Sequence, residues 1–209
     1  MRKFADIHLH PDLTKKEDIE KIIYKAAELN YAIVGISLPL KTRQSTINFS
    51  RRICEAAGVD FVARIDLTPK STSGLLKNLR QVRRGFELVS VNCLSKSVAR
   101  QAAKDHRVDL LAFPSINPRE RFFDISEARL ASQGVAALEI DMSLILQLHY
   151  FPRVRILSSL RREVAIAAKF HIPVVISSNA VDSYQLREPR ELASLTTLFG
   201  MDKESALNA

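Results

Sequence analysis

Seven short apolar runs, separated by longer stretches of helical spacing, set the rhythm of this chain. The first, Phe4-Ala5-Asp6-Ile7-His8-Leu9-His10, alternates between apolar Ala5, Ile7 and Leu9 and polar Asp6, His8 and His10. A strand turns successive side chains to opposite faces, so the aspartate and both histidines look the same way. Further runs at 32–38, 61–67, 88–91, 110–113, 136–140 and 174–177 read as strands. Between the first two, Thr14-Lys15-Lys16-Glu17 has capping-box spacing. The helix it opens carries Ile19, Ile22, Ile23, Ala26 and Leu29 as one apolar stripe. A helix over 45–57 is closed by Gly58, and one over 73–84 by Gly85. Others are predicted near 96–105, 124–133 and 154–170, with one or two more from about residue 190 and a loose polar tail.

Strands that alternate with helices imply parallel pairing through helical crossovers. Polar residues sit near the C-terminal strand ends: His10, Ser37, Asp66, Asn92, Glu139 and Asn179. A doubly wound open sheet buries both strand faces and does not need them. A barrel collects them in its mouth, where sites are built. The expectation is an α/β protein, an irregular (β/α) TIM-like barrel of about seven parallel strands with outer helices, with residues 1–209 forming one domain.

Composition narrows the setting. Cys54 and Cys93 are two cysteines without a disulfide framework, which fits a reducing compartment. The N-terminus does not read as a signal peptide, and no apolar run is long enough to span a bilayer. We expect a soluble cytoplasmic protein without a membrane partner. The formal charge of +8 is unevenly placed: residues 29–107 hold 14 Lys/Arg and 5 Asp/Glu, while the rest is nearly balanced at 17 and 18. No acid occurs over 67–86, where Lys77, Arg80 and Arg84 share the side opposite Leu75, Leu79 and Val82. An excess confined to one part of a fold suggests a polyanion-binding face; the alternative is a solvated basic surface.

His8 and His10 on one strand face have the geometry of two metal ligands, with Asp6 beside them. A hydrolytic centre needs more donors from other strand ends. His106 and His171 fall at helix ends, His149 has no evident partner, and the last strand offers only Ser177-Ser178-Asn179-Ala180. Glu139 and Asp141 are the remaining carboxylates. By alternation Arg64 shares the interior face with Val62 and Asp66. A guanidinium there must pair, since an unpaired buried charge is very costly. We expect Arg64 near Asp6 or Glu139, supplying positive charge where a metal would otherwise sit. No Gly-x-Ser-x-Gly elbow surrounds the serine-rich stretches.

The opening motif resembles that of the polymerase-and-histidinol-phosphatase superfamily of metal-dependent phosphoesterases, but the missing histidines depart from it. The whole chain is instead similar to the ribonuclease P protein component 3 family. The resemblance rests on Asp6-Ile7-His8, Ala32-Ile33-Val34-Gly35-Ile36-Ser37, Phe61-Val62-Ala63-Arg64-Ile65-Asp66-Leu67, Arg83-Arg84 and Leu138-Glu139-Ile140. Ile176-Ser177-Ser178-Asn179-Ala180 running into Arg187-Glu188-Pro189-Arg190 completes it. It implies a ribonuclease P subunit that binds and organises the catalytic RNA, for removal of the 5′ leader from precursor tRNA. Its partners would be that RNA, precursor tRNA within the holoenzyme and another small protein subunit. It implies no cofactor and no catalytic residue on this chain. The RNA-binding residues expected are Lys41, Arg43, Arg64, Arg80, Arg83, Arg84, Arg100 and Arg107, with His8 and His10 as vestigial metal candidates. Two alternatives stand beside this: a free-standing metal-dependent phosphoesterase using the His8/His10 site, and a basic scaffold for protein partners alone.

Overall fold

Every one of the seven apolar runs forms a strand: β1 (Phe4–Leu9), β2 (Tyr31–Ser37), β3 (Asp60–Leu67), β4 (Leu88–Asn92), β5 (Leu110–Ala112), β6 (Ala137–Asp141) and β7 (Val174–Ser177). The structure is a computed structural model and describes residues 3–209. All pairings between neighbours are parallel, in the order β1 to β7. Helices α1 (Lys16–Glu28), α2 (Gln44–Ala57), α3 (Thr72–Val82), α4 (Lys96–Lys104) and α5 (Ile125–Ala131) fill the crossovers up to β6. Then come α6 (Ser143–Gln147), α7 (Tyr150–Lys169), α8 (Pro189–Leu195) and α9 (Lys203–Asn208). The sheet curls until its edges meet: Leu9 bridges Ala180, and His10 N–H donates to the Ala180 carbonyl at 2.8 Å. The TIM-like barrel expected from the sequence is therefore present, nearly closed, and joined at its C-terminal mouth.

The junction of β1 and β2 is irregular in a way that shapes the mouth. Asp6 pairs with Val34 and Leu9 with Ile36, so three steps along β1 match two along β2. That is a bulge, which kinks a strand and re-aims side chains. At the bulge the Ile7 backbone presses against Gly35: a Cβ there would lie 2.6 Å from the Ile7 carbonyl oxygen. Only glycine permits this approach.

Helix stripes bury as expected. Ile19, Ile22 and Ile23 of α1 pack with Ile36, Ile53 and Cys54 over the first strands. A second cluster over the later strands includes Leu75, Leu79, Leu138, Ile156 and Phe199. Four local expectations are corrected. The capping box does not form: the Thr14 hydroxyl donates to Asp12 at 2.6 Å, and α1 begins behind Lys15 without a side-chain cap. Gly85 is not a left-handed cap, because α3 ends at Val82 and the turn over 83–85 stays in ordinary backbone geometry. Helix α7 starts at Tyr150, four residues early. The expected polar tail is a helix, α9, capped by Asp202 and burying Ala206. Gly58, by contrast, closes α2 with φ 72° as expected. No helix among the described residues is long and apolar enough to cross a membrane.

Candidate functional site

Five of the six polar strand-end residues line a single cavity of about 410 Å³ in the mouth: His10, Asp66, Asn92, Glu139 and Asn179. Ser37, the sixth, donates a short hydrogen bond to Asp66. Held by the lining residues Asp66 and Glu139 is Arg64, whose side chain is 0% exposed. Its five N–H groups all find acceptors. Nε donates to Asp66 at 2.9 Å, and Nη2 to Asp66 at 2.7 Å and Glu139 at 2.6 Å. Nη1 donates to Glu139 at 2.5 Å and to the Ile7 carbonyl, exposed to it by the bulge, at 3.2 Å. A guanidinium carries no further donor, so this one is saturated. Of the two expected partners, Glu139 holds Arg64 and Asp6 does not.

Glu139 is the hub of the interior. It accepts from Ser177 at 2.8 Å and Ser90 at 3.2 Å, and lies 3.0 Å from His8 Nδ1. Burial alone would push its carboxyl up; Arg64 and His8 outweigh that and hold it well below the usual carboxylate range. Asp66 is likewise raised by burial but held below its ordinary value overall, chiefly by Arg64. Arg64 in turn is raised, because the two carboxylates overcome the burial that would lower it. Asp6 pairs with no such cation among the described residues. Burial raises its pKa, Oδ1 accepts the His8 and Ser178 amides, and Oδ2 has no hydrogen-bond partner among the described residues. Burial, then the neighbouring His8, lowers His10 to about 4. His8, His10 and Asp66 bring three donor atoms within 4.8 Å of one another. His106, His149 and His171 are exposed, and none of them joins this group among the described residues.

Two pairings at the mouth had no sequence signal. Arg121, between β5 and α5, is buried and donates to both Glu163 oxygens, at 2.7 and 2.6 Å. Its partner lies on α7, 42 residues away, beyond any local pattern. Asn179 adopts φ 52° and donates to Asp141 at 2.7 Å, fixing the β7 end against β6.

The eight basic residues expected at an RNA surface divide into two groups. Lys41, Arg43, Arg80 and Arg84 are exposed, and no ion pair engages them among the described residues. The others are paired. Arg83, just past the end of α3, binds Asp109. Arg100 reaches the buried Glu127 at 3.1 Å, and Arg107 grips Asp105 at 2.8 and 2.7 Å. Arg64 must be withdrawn: a saturated, fully buried guanidinium offers nothing to a surface partner. Arg84 also lies beyond the end of α3, rather than on its face with Lys77 and Arg80.

Comparison with known proteins gives a consistent result. A family model described as RNase P subunit p30 matches residues 3–209. A ribonuclease P protein component 3 from Methanococcoides burtonii is 27% identical over 208 residues, covering 100% of this chain and 84% of that protein. Its namesake from Methanocaldococcus jannaschii is 28% identical over 149 residues, covering 71% of this chain and 64% of that protein. A chain in the cryo-EM structure of archaeal ribonuclease P with mature tRNA superposes with a TM-score of 0.83 at 24% identity, covering 98% of this chain and 85% of that one.

Proposed function

The chain belongs to the RNase P subunit p30 family, and from that premise we infer that it is a protein subunit of ribonuclease P. It binds and organises the catalytic RNA for removal of the 5′ leader from precursor tRNA, alongside another small protein subunit. The observation that carries this is the family match along the whole described chain, 3–209. The polypeptide supplies no catalytic residue of its own. Supporting that, the two carboxylates closest to the histidine pair, Asp66 and Glu139, are both already held by the Arg64 guanidinium. A dication beside a buried guanidinium would add like charge at the mouth. The metal phosphoesterase reading is therefore not favoured. Exposed, unpaired cations suit phosphate contacts, which give most of the affinity for structured RNA and make it salt dependent. On this reading Lys41, Arg43, Arg80 and Arg84 make the strongest contacts, and Arg83, Arg100 and Arg107 weaker ones.

Reconstitution tests it. Cleavage of precursor tRNA by the assembled RNA and protein subunits should fall when this chain is left out. The chain alone, without RNA, should release no 5′ leader in any divalent metal. Turnover of a phosphoester by the isolated chain, abolished by His8→Ala, would overturn the reading.

A further inference from the structure

A second, roomier cavity lies outside the barrel mouth. It is a cleft of about 1000 Å³ between α1 and α2, reached from the loops that follow β1 and β2. Its apolar floor includes Leu13, Ile19 and Phe49. Around it stand Lys16, Lys41, Arg43 and Arg52, and no acidic residue among the described residues lines it. All four cations are exposed, and none forms an ion pair among the described residues. The acids flanking Lys16 in sequence are engaged elsewhere: Asp12, ahead of α1, holds Thr14 and Lys15, and Glu17 faces Lys21. Phe49 organises the group. Lys16 Nζ lies 5.3 Å and the Arg52 guanidinium 5.7 Å from its ring centroid. Cation–π contacts of this kind hold long side chains in place, so less rotamer freedom is lost on binding.

We propose that this α1–α2 cleft is a docking groove for RNA sugar-phosphate backbone, with Lys16 and Arg52 as contacts beyond Lys41 and Arg43. The proposal rests on the subunit reading above and deepens it. Charge complementarity selects the occupant. Four unpaired cations around one concavity repel one another, and a polyanion relieves that repulsion while releasing its own condensed counterions. A neutral or basic peptide would leave the repulsion in place. The apolar floor suits the flat face of an unpaired base or a ribose, a role aromatic side chains take in RNA-binding clefts. The groove is set at the rim, whereas Arg80 and Arg84 lie at the opposite, C-terminal end of α3. The two sets can be tested separately.

The test is filter binding of the full chain to a transcript of its cognate ribonuclease P RNA across a salt series. Lys16→Gln with Arg52→Gln should lower the slope of log affinity against log salt by about 1.5, for two lost phosphate contacts. Both side chains are exposed, so an unchanged melting temperature will confirm that the variant is folded. A photo-crosslinking residue at Asn48, which lines the cleft, should join to RNA in the assembled complex. An unchanged slope overturns the groove. If Arg80→Gln with Arg84→Gln still lowers the slope, the subunit reading survives that failure. If the unmodified chain shows no salt-sensitive RNA binding, the subunit reading itself fails. A crosslink from Asn48 to a protein subunit instead of RNA would reassign the cleft to an acidic protein partner and overturn the proposal.

Discussion

Arg64 shows most plainly what one buried side chain imposes on its surroundings. Three of its five hydrogen bonds join β3 to β6 or to the β1 bulge. Replacing it with methionine roughly keeps the volume but strips buried Glu139 of its guanidinium partner. Breaking a buried pair in this way costs about 3–5 kcal/mol. Urea unfolding of Arg64→Met should show that loss, and adding Glu139→Leu should recover part of it, because the second change removes the stranded charge. A loss within the ~0–1 kcal/mol typical of exposed pairs would refute the role assigned here. The alternation of β1 and β3 already places Asp6, His8, His10, Arg64 and Asp66 on the interior side. The partner of Arg64 is less legible. Glu139 stands 75 residues away and is met only when the barrel closes. Arg121 and Glu163 are wholly illegible for the same reason.

Elements were easier to read than their ends. A strand or helix interior is set by many residues acting together, whereas a terminus turns on one or two hydrogen bonds. At α1 the Thr14 hydroxyl goes to Asp12, a local competitor two residues back, so the capping-box spacing is never used. At α3 an ordinary turn follows Val82, and Gly85 has no positive φ to supply. Gly35 carries the opposite lesson: it reads as an unremarkable strand glycine until the β1 bulge brings the Ile7 backbone against it. Gly35→Ala would push a methyl into main chain 2.6 to 2.8 Å away, where no flexible side chain can yield. Overpacking of that kind costs about 1–3 kcal/mol. The bulge also exposes the Ile7 carbonyl to Arg64, so the damage should reach the mouth. Thermal unfolding should show the loss, and a melting temperature equal to the parent's would mean that β1 moves away freely.

Across the whole molecule, the charge excess of residues 29–107 was visible in the sequence, but its distribution was not. Pairing depends on which acids the fold brings alongside. Asp109 reaches Arg83 from the start of β5, and Glu127 reaches Arg100 from α5. A cation already holding a carboxylate presents a weaker field to phosphate and leaves an unpaired acid behind when it is removed. Two double variants separate these effects. Arg80→Gln with Arg84→Gln removes unpaired charge, so it should lower the salt slope of RNA binding by about 1.5 while leaving the melting temperature unchanged. Arg100→Gln with Arg107→Gln removes cations held by Glu127 and Asp105. It should change the slope less and lower stability, because Glu127 is buried, its pKa already raised by that burial. Equal slopes for the two variants would show that pairing does not decide which cations meet RNA. A larger change for the paired set would place the RNA over α4 and α5.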